Sequence, residues 1–297
     1  MKKRVSPILA LSLVLALAGC SNTGGGGAAA PTPSPASAPP AQETPAPQSQ
    51  SPGAEPVELV VFAAASMTET MNQIAELYKT VAPNVTLVYT FDSSGTLKTQ
   101  IQEGADCDIF ISAAQKQMNQ LDASVDAGGG NTEGLDFVLQ GTRCNLVENK
   151  VTLVVPEGNP AGISSFDDVA TDKVKLIALG NSDVPVGQYS EEIFTAMGVW
   201  DQLNAGQKIT FGTNVKEVTS QVAEAAVDCG VVYGTDAYSA GLEVVAEAPD
   251  GTHKPVVYPA AVLNTTKNGD AAKAFLEFLK GGECSAVFES VGFSIPA

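Results

Sequence analysis

The 297-residue chain has a single histidine, His253. A Ser-His-Asp triad or a histidine-rich metal site is therefore not expected. Basic residues are scarce as well: 16 Lys and Arg stand against 33 Asp and Glu, a formal net charge of −17. That balance argues against nucleic acid and against anionic lipid as partners. Any anion would have to be held by local geometry rather than by the overall field. No internal repeat at solenoid spacing is visible. The apolar stretch Val5–Leu17 is short of the roughly 20 residues that a membrane-spanning helix needs.

What is present at the N-terminus reads as an export signal over residues 1–19. Lys2, Lys3 and Arg4 form a positive n-region, Val5–Leu17 is apolar apart from Ser6, Pro7 and Ser12, and Leu17-Ala18-Gly19-Cys20 closes the segment with small residues. The cysteine at the cut resembles the bacterial lipoprotein box, which implies that Cys20 is the lipidated first residue; a plain secretory signal is the alternative. Without the signal's cations the chain has 13 Lys and Arg against 33 acids, or −20. From residue 20 to 56 the chain is Ser, Gly, Ala, Pro, Gln and Thr with almost no large apolar side chain. Such a segment buries too little surface to fold and is expected to be a disordered tether.

The globular body begins near Val57 and is organised around Val60–Thr68. Leu59-Val60-Val61-Phe62 reads as a buried strand; then Met71, Ile74, Ala75 and Tyr78 recur at helical spacing. Ser66 stands at the handover. A helix start has unpaired N–H groups and the positive end of the dipole, so Ser66 is either a cap or part of an anion site. Similar strand-to-helix junctions follow. They are Phe91-Asp92-Ser93-Ser94-Gly95-Thr96, Leu179 through Val184-Pro185-Val186-Gly187, and Phe211 through Thr213-Asn214-Val215. The stretch Cys229–Ala237 reads as a further strand ending in an aromatic hydroxyl, Tyr233. Asp92, Ser93 or Ser94 would cap the second helix, and Thr213 or Asn214 the fourth. Val151–Val155 reads as one long buried strand within Leu146–Pro156. Strands alternating with helices predict an α/β fold with mostly parallel sheets covered on both faces.

With these junctions in hand, the body from about Val57 to Pro296 resembles the molybdate-binding proteins of bacterial ABC importers. The motifs that carry the likeness are Val61–Ser66, Phe91–Leu97, Asp108–Ala113, Val184–Gly187, Gly230–Ala237 and Tyr258–Val262, all in the right order. The resemblance implies a type II periplasmic-binding-protein fold: two doubly wound lobes, a ligand cleft between them, and two chain crossovers. It puts lobe one at 57–147 plus 257–297 and lobe two at 148–256. Clefts at the carboxyl ends of open α/β sheets are the usual ligand sites. The resemblance also implies that Ser66 and Ser94 offer hydroxyl and N–H, Val186 and Val215 offer N–H, and Tyr233 offers its hydroxyl. The implied ligand is molybdate or tungstate, with no cofactor and no free metal cation. The implied partner is a cognate membrane permease, and the chain would be a lipid-anchored monomer on the outer face of the cell membrane.

Asp92 departs from the family pattern; it is expected to serve as a helix cap facing outward. Cys107, Cys144, Cys229 and Cys284 remain once Cys20 is lipidated. On the implied lobes, Cys107 and Cys144 share one half, so a bond between them is the favoured pairing in an oxidising compartment. Two other functions compete: the same fold binding sulfate or phosphate, and an exported serine hydrolase. No Gly-x-Ser-x-Gly elbow surrounds Ser66 or Ser94, so an enzyme is not expected.

Overall fold

The structure is a computed structural model that describes residues 55–296. The expected signal, Cys20 and all but the end of the 20–56 tether lie outside the described residues. The described strands are β1 (Val57–Ala64), β2 (Val85–Asp92), β3 (Ile109–Ile111), β4 (Cys144–Asn149), β5 (Val151–Val155), β6 (Ile177–Gly180), β7 (Ile209–Gly212), β8 (Cys229–Tyr233), β9 (Glu243–Glu247) and β10 (Val256–Val262). The helices are α1 (Thr68–Val81), α2 (Ser94–Gln102), α3 (Gln115–Leu121), α4 (Pro185–Ala196), α5 (Trp200–Ala205), α6 (Val215–Ala223), α7 (Gly234–Ala240), α8 (Gly269–Leu279) and α9 (Gly282–Ser290). A 3₁₀ turn, Ala65–Met67, separates β1 from α1.

The strands form two five-stranded sheets, ordered β2-β1-β3-β10-β4 and β7-β6-β8-β5-β9. This is the α/β, two-lobed architecture of a type II binding protein, with a refinement in strand direction. Four strands of each sheet share a direction and one opposes them, β10 in the first and β5 in the second. The opposed strands are the ones that the chain enters on arriving from the other sheet. The forward strands deliver their carboxyl ends to the seam between the sheets. A chain that crosses at the seam begins its next strand there and must run away from it.

Val151–Val155 is a single buried strand, β5, as expected, and the residues just before it in the Leu146–Pro156 segment belong to a second strand, β4. β4 ends at Asn149 in the first sheet, Lys150 makes the crossing, and β5 starts at Val151 in the second. Residues 248–255 make the return crossing.

Helices cover both sheets. α1 buries Met71, Ile74 and Tyr78, the residues that recur at helical spacing. The Tyr78 ring packs on Phe275 and Phe278 of α8 at centroid distances of 4.8 and 4.9 Å. One large apolar cluster runs through both sheets, and a smaller one with Phe62, Leu97, Phe110 and Met118 fills the outer layer of the first.

The four cysteines among the described residues are all free, so the favoured Cys107–Cys144 bond is absent. The sheet register explains it. Cys144 pairs with Ala260, and Ala260 pairs with Ile111 on the opposite side of β10. Two strand spacings, roughly 10 Å, therefore separate Cys144 from the Cys107 segment, beyond the reach of a disulfide. The Cys107 thiol instead donates to the Ile109 carbonyl at 3.2 Å.

Candidate functional site

Each junction leaves a helix start with donors unspent, for a different local reason. After β1, the 3₁₀ turn opens on Ala64, which has no capping side chain. Ser66 lies inside that turn and does not cap; its hydroxyl is 2.9 Å from the Tyr258 hydroxyl. After β2, the cap is Ser93, whose Oγ accepts the Thr96 N–H at 3.1 Å. Asp92 is therefore not the cap; its carboxylate accepts the Ser93 N–H at 2.7 Å. Ser94 follows at the first helical position, fully buried, and its Oγ accepts the Ala113 N–H at 2.9 Å.

In the second sheet, β6 leads to α4, which opens on Val184 with no side-chain cap and Pro185 at the first turn. Proline has no N–H, so Val186 is the first residue of α4 that can donate. Gly187 lets the helix start approach β6: a Cβ there would stand 2.2 Å from the Gly180 carbonyl oxygen. After β7, Asn214 caps α6 by accepting the Glu217 N–H at 3.1 Å, while Glu217 accepts the Thr213 N–H at 2.7 Å. Val215 then stands at the first helical position with its N–H forward. Tyr233 ends β8 and precedes α7. Its hydroxyl is buried and has no hydrogen-bond partner among the described residues.

Contacts across the seam draw these places together. The Gly95 N–H, next to Ser94, donates to the Asp183 carbonyl at 3.0 Å, three residues before Val186. Lys216, next to Val215, holds both oxygens of Glu69 on α1 at 2.9 and 2.8 Å, three residues after Ser66. The same ammonium is 3.2 Å from Asp236, three residues after Tyr233. The Tyr233 ring meets Tyr258 edge-on at 5.8 Å, and Tyr258 meets Ser66. All five positions are buried. A separate groove of about 450 Å³ is lined by Ala114, Gln115, Tyr189, Glu192, Lys254 and Pro255, and none of the five positions borders it.

Charge here is balanced within the protein. Asp236 is fully buried, and burial pushes its carboxyl up to about 6 against the opposing pull of Lys216. Burial acts to lower the Lys216 pKa, but Asp236 and Glu69 outweigh it and the net shift is upward. The cation beside Val215 is thus committed to two carboxylates. Burial raises the Tyr233 pKa well above the ordinary tyrosine value, so its hydroxyl keeps its proton. Tyr258 adds to that shift through its charge and its nearby hydroxyl, although the two hydroxyls make no hydrogen bond of good geometry. Lys216, Asp236, Glu69, Asn149 and Tyr258 were not singled out from the sequence. Tyr258 and Asp236 fall inside quoted motifs, but nothing local announces their partners.

The comparisons agree with this architecture. Residues 59–294 match the model of the family described as bacterial extracellular solute-binding protein. The chain is 36% identical over 249 residues to the putative ABC transporter substrate-binding lipoprotein YvgL of Bacillus subtilis, covering 83% of this chain and 90% of that one. It is 36% identical over 245 residues to the molybdate-binding protein ModA of Escherichia coli, covering 80% and 89%. Among solved structures, the substrate-binding domain of a putative molybdenum ABC transporter from Clostridium difficile superposes with a TM-score of 0.61 at 38% identity, covering 81% of this chain and all of that one. The fold and these matches define a binding protein of the ABC importer type, not an enzyme. The chain belongs to the bacterial extracellular solute-binding proteins.

Proposed function

We propose that the chain captures molybdate or tungstate between its lobes and delivers it to a membrane permease. In this reading Ser66 and Ser94 donate through hydroxyl and N–H, Val186 and Val215 through N–H, and Tyr233 through its hydroxyl. The observation that carries it is the buried, unpartnered Tyr233 hydroxyl, at the seam where four helix starts leave their first N–H groups unspent. A buried hydroxyl without a partner costs about 1–3 kcal/mol, which an anion in the seam would recover.

The donor set selects the ligand class. Molybdate and tungstate are tetrahedral dianions that carry no proton at neutral pH and only accept hydrogen bonds. Hydroxyls and N–H groups can all present hydrogens to such a guest. Each bond to a charged acceptor is worth about 1.5–3 kcal/mol, so the set can offset desolvation and closure without a cation. Phosphate carries a proton near pH 7 and needs an acceptor. Sulfate has the right chemistry but is smaller, so cavity size must exclude it.

The rest of the proposal follows from the chain's ends and halves. Residues 1–19 direct export, lipidated Cys20 anchors a monomer at the outer face of the membrane, and the 20–56 segment is the tether. Lobe one (57–147 plus 257–297) and lobe two (148–256) close on the ligand. The test is thermal unfolding with molybdate, tungstate, sulfate and phosphate in turn. A ligand at about 100 times its Kd adds roughly 2.7 kcal/mol. Stabilisation by the first two alone is the expected result, and no response to either overturns the proposal.

A further inference from the structure

A chain of hydrogen bonds runs from the crossover to Ser66, and its direction can be read. The Lys150 N–H donates to Asn149 Oδ1 at 2.9 Å. That bond fixes the Asn149 amide, because a flipped group would face N–H with N–H. Asn149 Nδ2 therefore donates, to Thr235 Oγ1 of α7 at 2.9 Å and to the Tyr258 hydroxyl at 3.2 Å. Tyr258 is fully buried, its ring wedged edge-on between Tyr233 at 5.8 Å and Phe293 at 5.3 Å. With its oxygen receiving from Asn149, the hydrogen bond that the described residues offer its own hydrogen is to Ser66 Oγ at 2.9 Å. The opposite arrangement would strand that hydrogen in the core, at about 1–3 kcal/mol. Burial also holds the Tyr258 pKa well above its usual value, so the hydrogen is present.

We infer that Tyr258 and Asn149 are positioning residues that set the polarity of the oxyanion site: they occupy one of the two acceptor positions of Ser66 and leave its own hydrogen free for the ligand. Ser94 is set the same way by a shorter route, since its Oγ accepts the Ala113 N–H at 2.9 Å. Both serines then spend one lone pair inside the protein and keep their own hydrogen for whatever occupies the seam. A protonated oxyanion such as hydrogen phosphate finds fewer acceptors there, whereas a bare dianion loses nothing. The chain also crosses the seam, because Asn149 belongs to β4 and Thr235 to α7. The inference deepens the proposed function and rests on it.

The test is calorimetric titration of the wild type and of Tyr258→Phe with molybdate, and with phosphate between pH 6 and 8. In Tyr258→Phe the Ser66 oxygen has both lone pairs free and loses the donor that orients it. Molybdate should bind about tenfold more weakly, one 1.4 kcal/mol step. The molybdate-to-phosphate affinity ratio should fall, most at the acid end, where phosphate carries more protons. Asn149→Asp is the second variant. The new carboxylate accepts from Tyr258, which turns Ser66 round. Its charge weakens all three dianions alike at pH 8, where phosphate is mostly the doubly charged hydrogen phosphate, so there a falling ratio of molybdate to phosphate relative to molybdate to sulfate reports polarity. It also serves if Tyr258→Phe fails to fold. Ratios that stay at the wild-type value in a folded variant overturn the inference and leave the proposed function standing. A wild type that binds neither molybdate nor tungstate overturns both.

Discussion

Replacing Tyr233 with Phe separates two quantities that most core substitutions move together. The ring keeps its edge contacts with Tyr189 at 6.5 Å and Tyr258 at 5.8 Å, so packing is retained. Only the hydroxyl goes, and that hydroxyl is buried with no partner among the described residues. An unpaired buried hydroxyl costs about 1–3 kcal/mol, so the ligand-free variant should be no less stable than the wild type and can gain up to that amount. Ligand binding should move the other way. The lost hydrogen bond to a charged acceptor is worth about 1.5–3 kcal/mol, or roughly ten- to a hundredfold in Kd. Urea unfolding of the free protein and calorimetric titration with molybdate measure the two sides. A variant whose ligand-free stability drops by more than about 1 kcal/mol, the net worth of an ordinary intramolecular hydrogen bond, shows that the hydroxyl has a protein partner in solution. A variant that binds as the wild type does removes Tyr233 from the donor set.

Gly95→Ala places a methyl group 2.4 Å from the Asp183 carbonyl oxygen across the seam, a clash with backbone that no rotamer change relieves. It should block closure while leaving the free protein as stable or, since alanine favours a helix by about 1 kcal/mol over glycine, slightly more so; X-ray scattering should lose any ligand-induced compaction. Asp236 makes stability depend on pH. Its folded pKa of about 6 lies above the unfolded value, so its contribution is fully present below about pH 4 and is lost as the pH rises through about 6. In Asp236→Asn that segment of the urea midpoint against pH should flatten, and an unchanged profile would show that the buried carboxyl is not the source. Asp122 works in the opposite sense. Burial raises its pKa, but Arg143 at 2.8 Å, with Ser124 and Gln140, lowers it further, to about 2. Its stabilisation is present above about pH 4 and lost as the pH falls toward 2, and Asp122→Asn should remove that acid-side loss.

Much of the architecture was legible in the chain because it is local. The Val60–Phe62 run, the helical spacing of Met71, Ile74 and Tyr78, and the polar residues at each handover report strands, helices and their order through side-chain periodicity alone. A cap at Thr213 or Asn214 was recognisable for the same reason, since a cap bonds its own first turn, and the structure gives the role to Asn214. Ambiguity among Asp92, Ser93 and Ser94 persisted because all can cap; only the backbone geometry awards the role to Ser93 and leaves Ser94 free. That the chain passes from one sheet to the other at Lys150 was not legible, because nothing local says which sheet receives each strand.

The amino-acid order by itself determined the alternation of strand and helix, the acidic surface and the family, since each depends on near neighbours or on composition. Tertiary structure alone decided that Cys107 and Cys144 stay apart, that Lys216 is spent on Glu69 and Asp236, and that Asn149, Tyr258 and Ser66 form one directed line. These are pairings between residues tens to hundreds of positions apart. Their energies exist only where burial removes water and leaves each polar group with the partners that the fold brings to it.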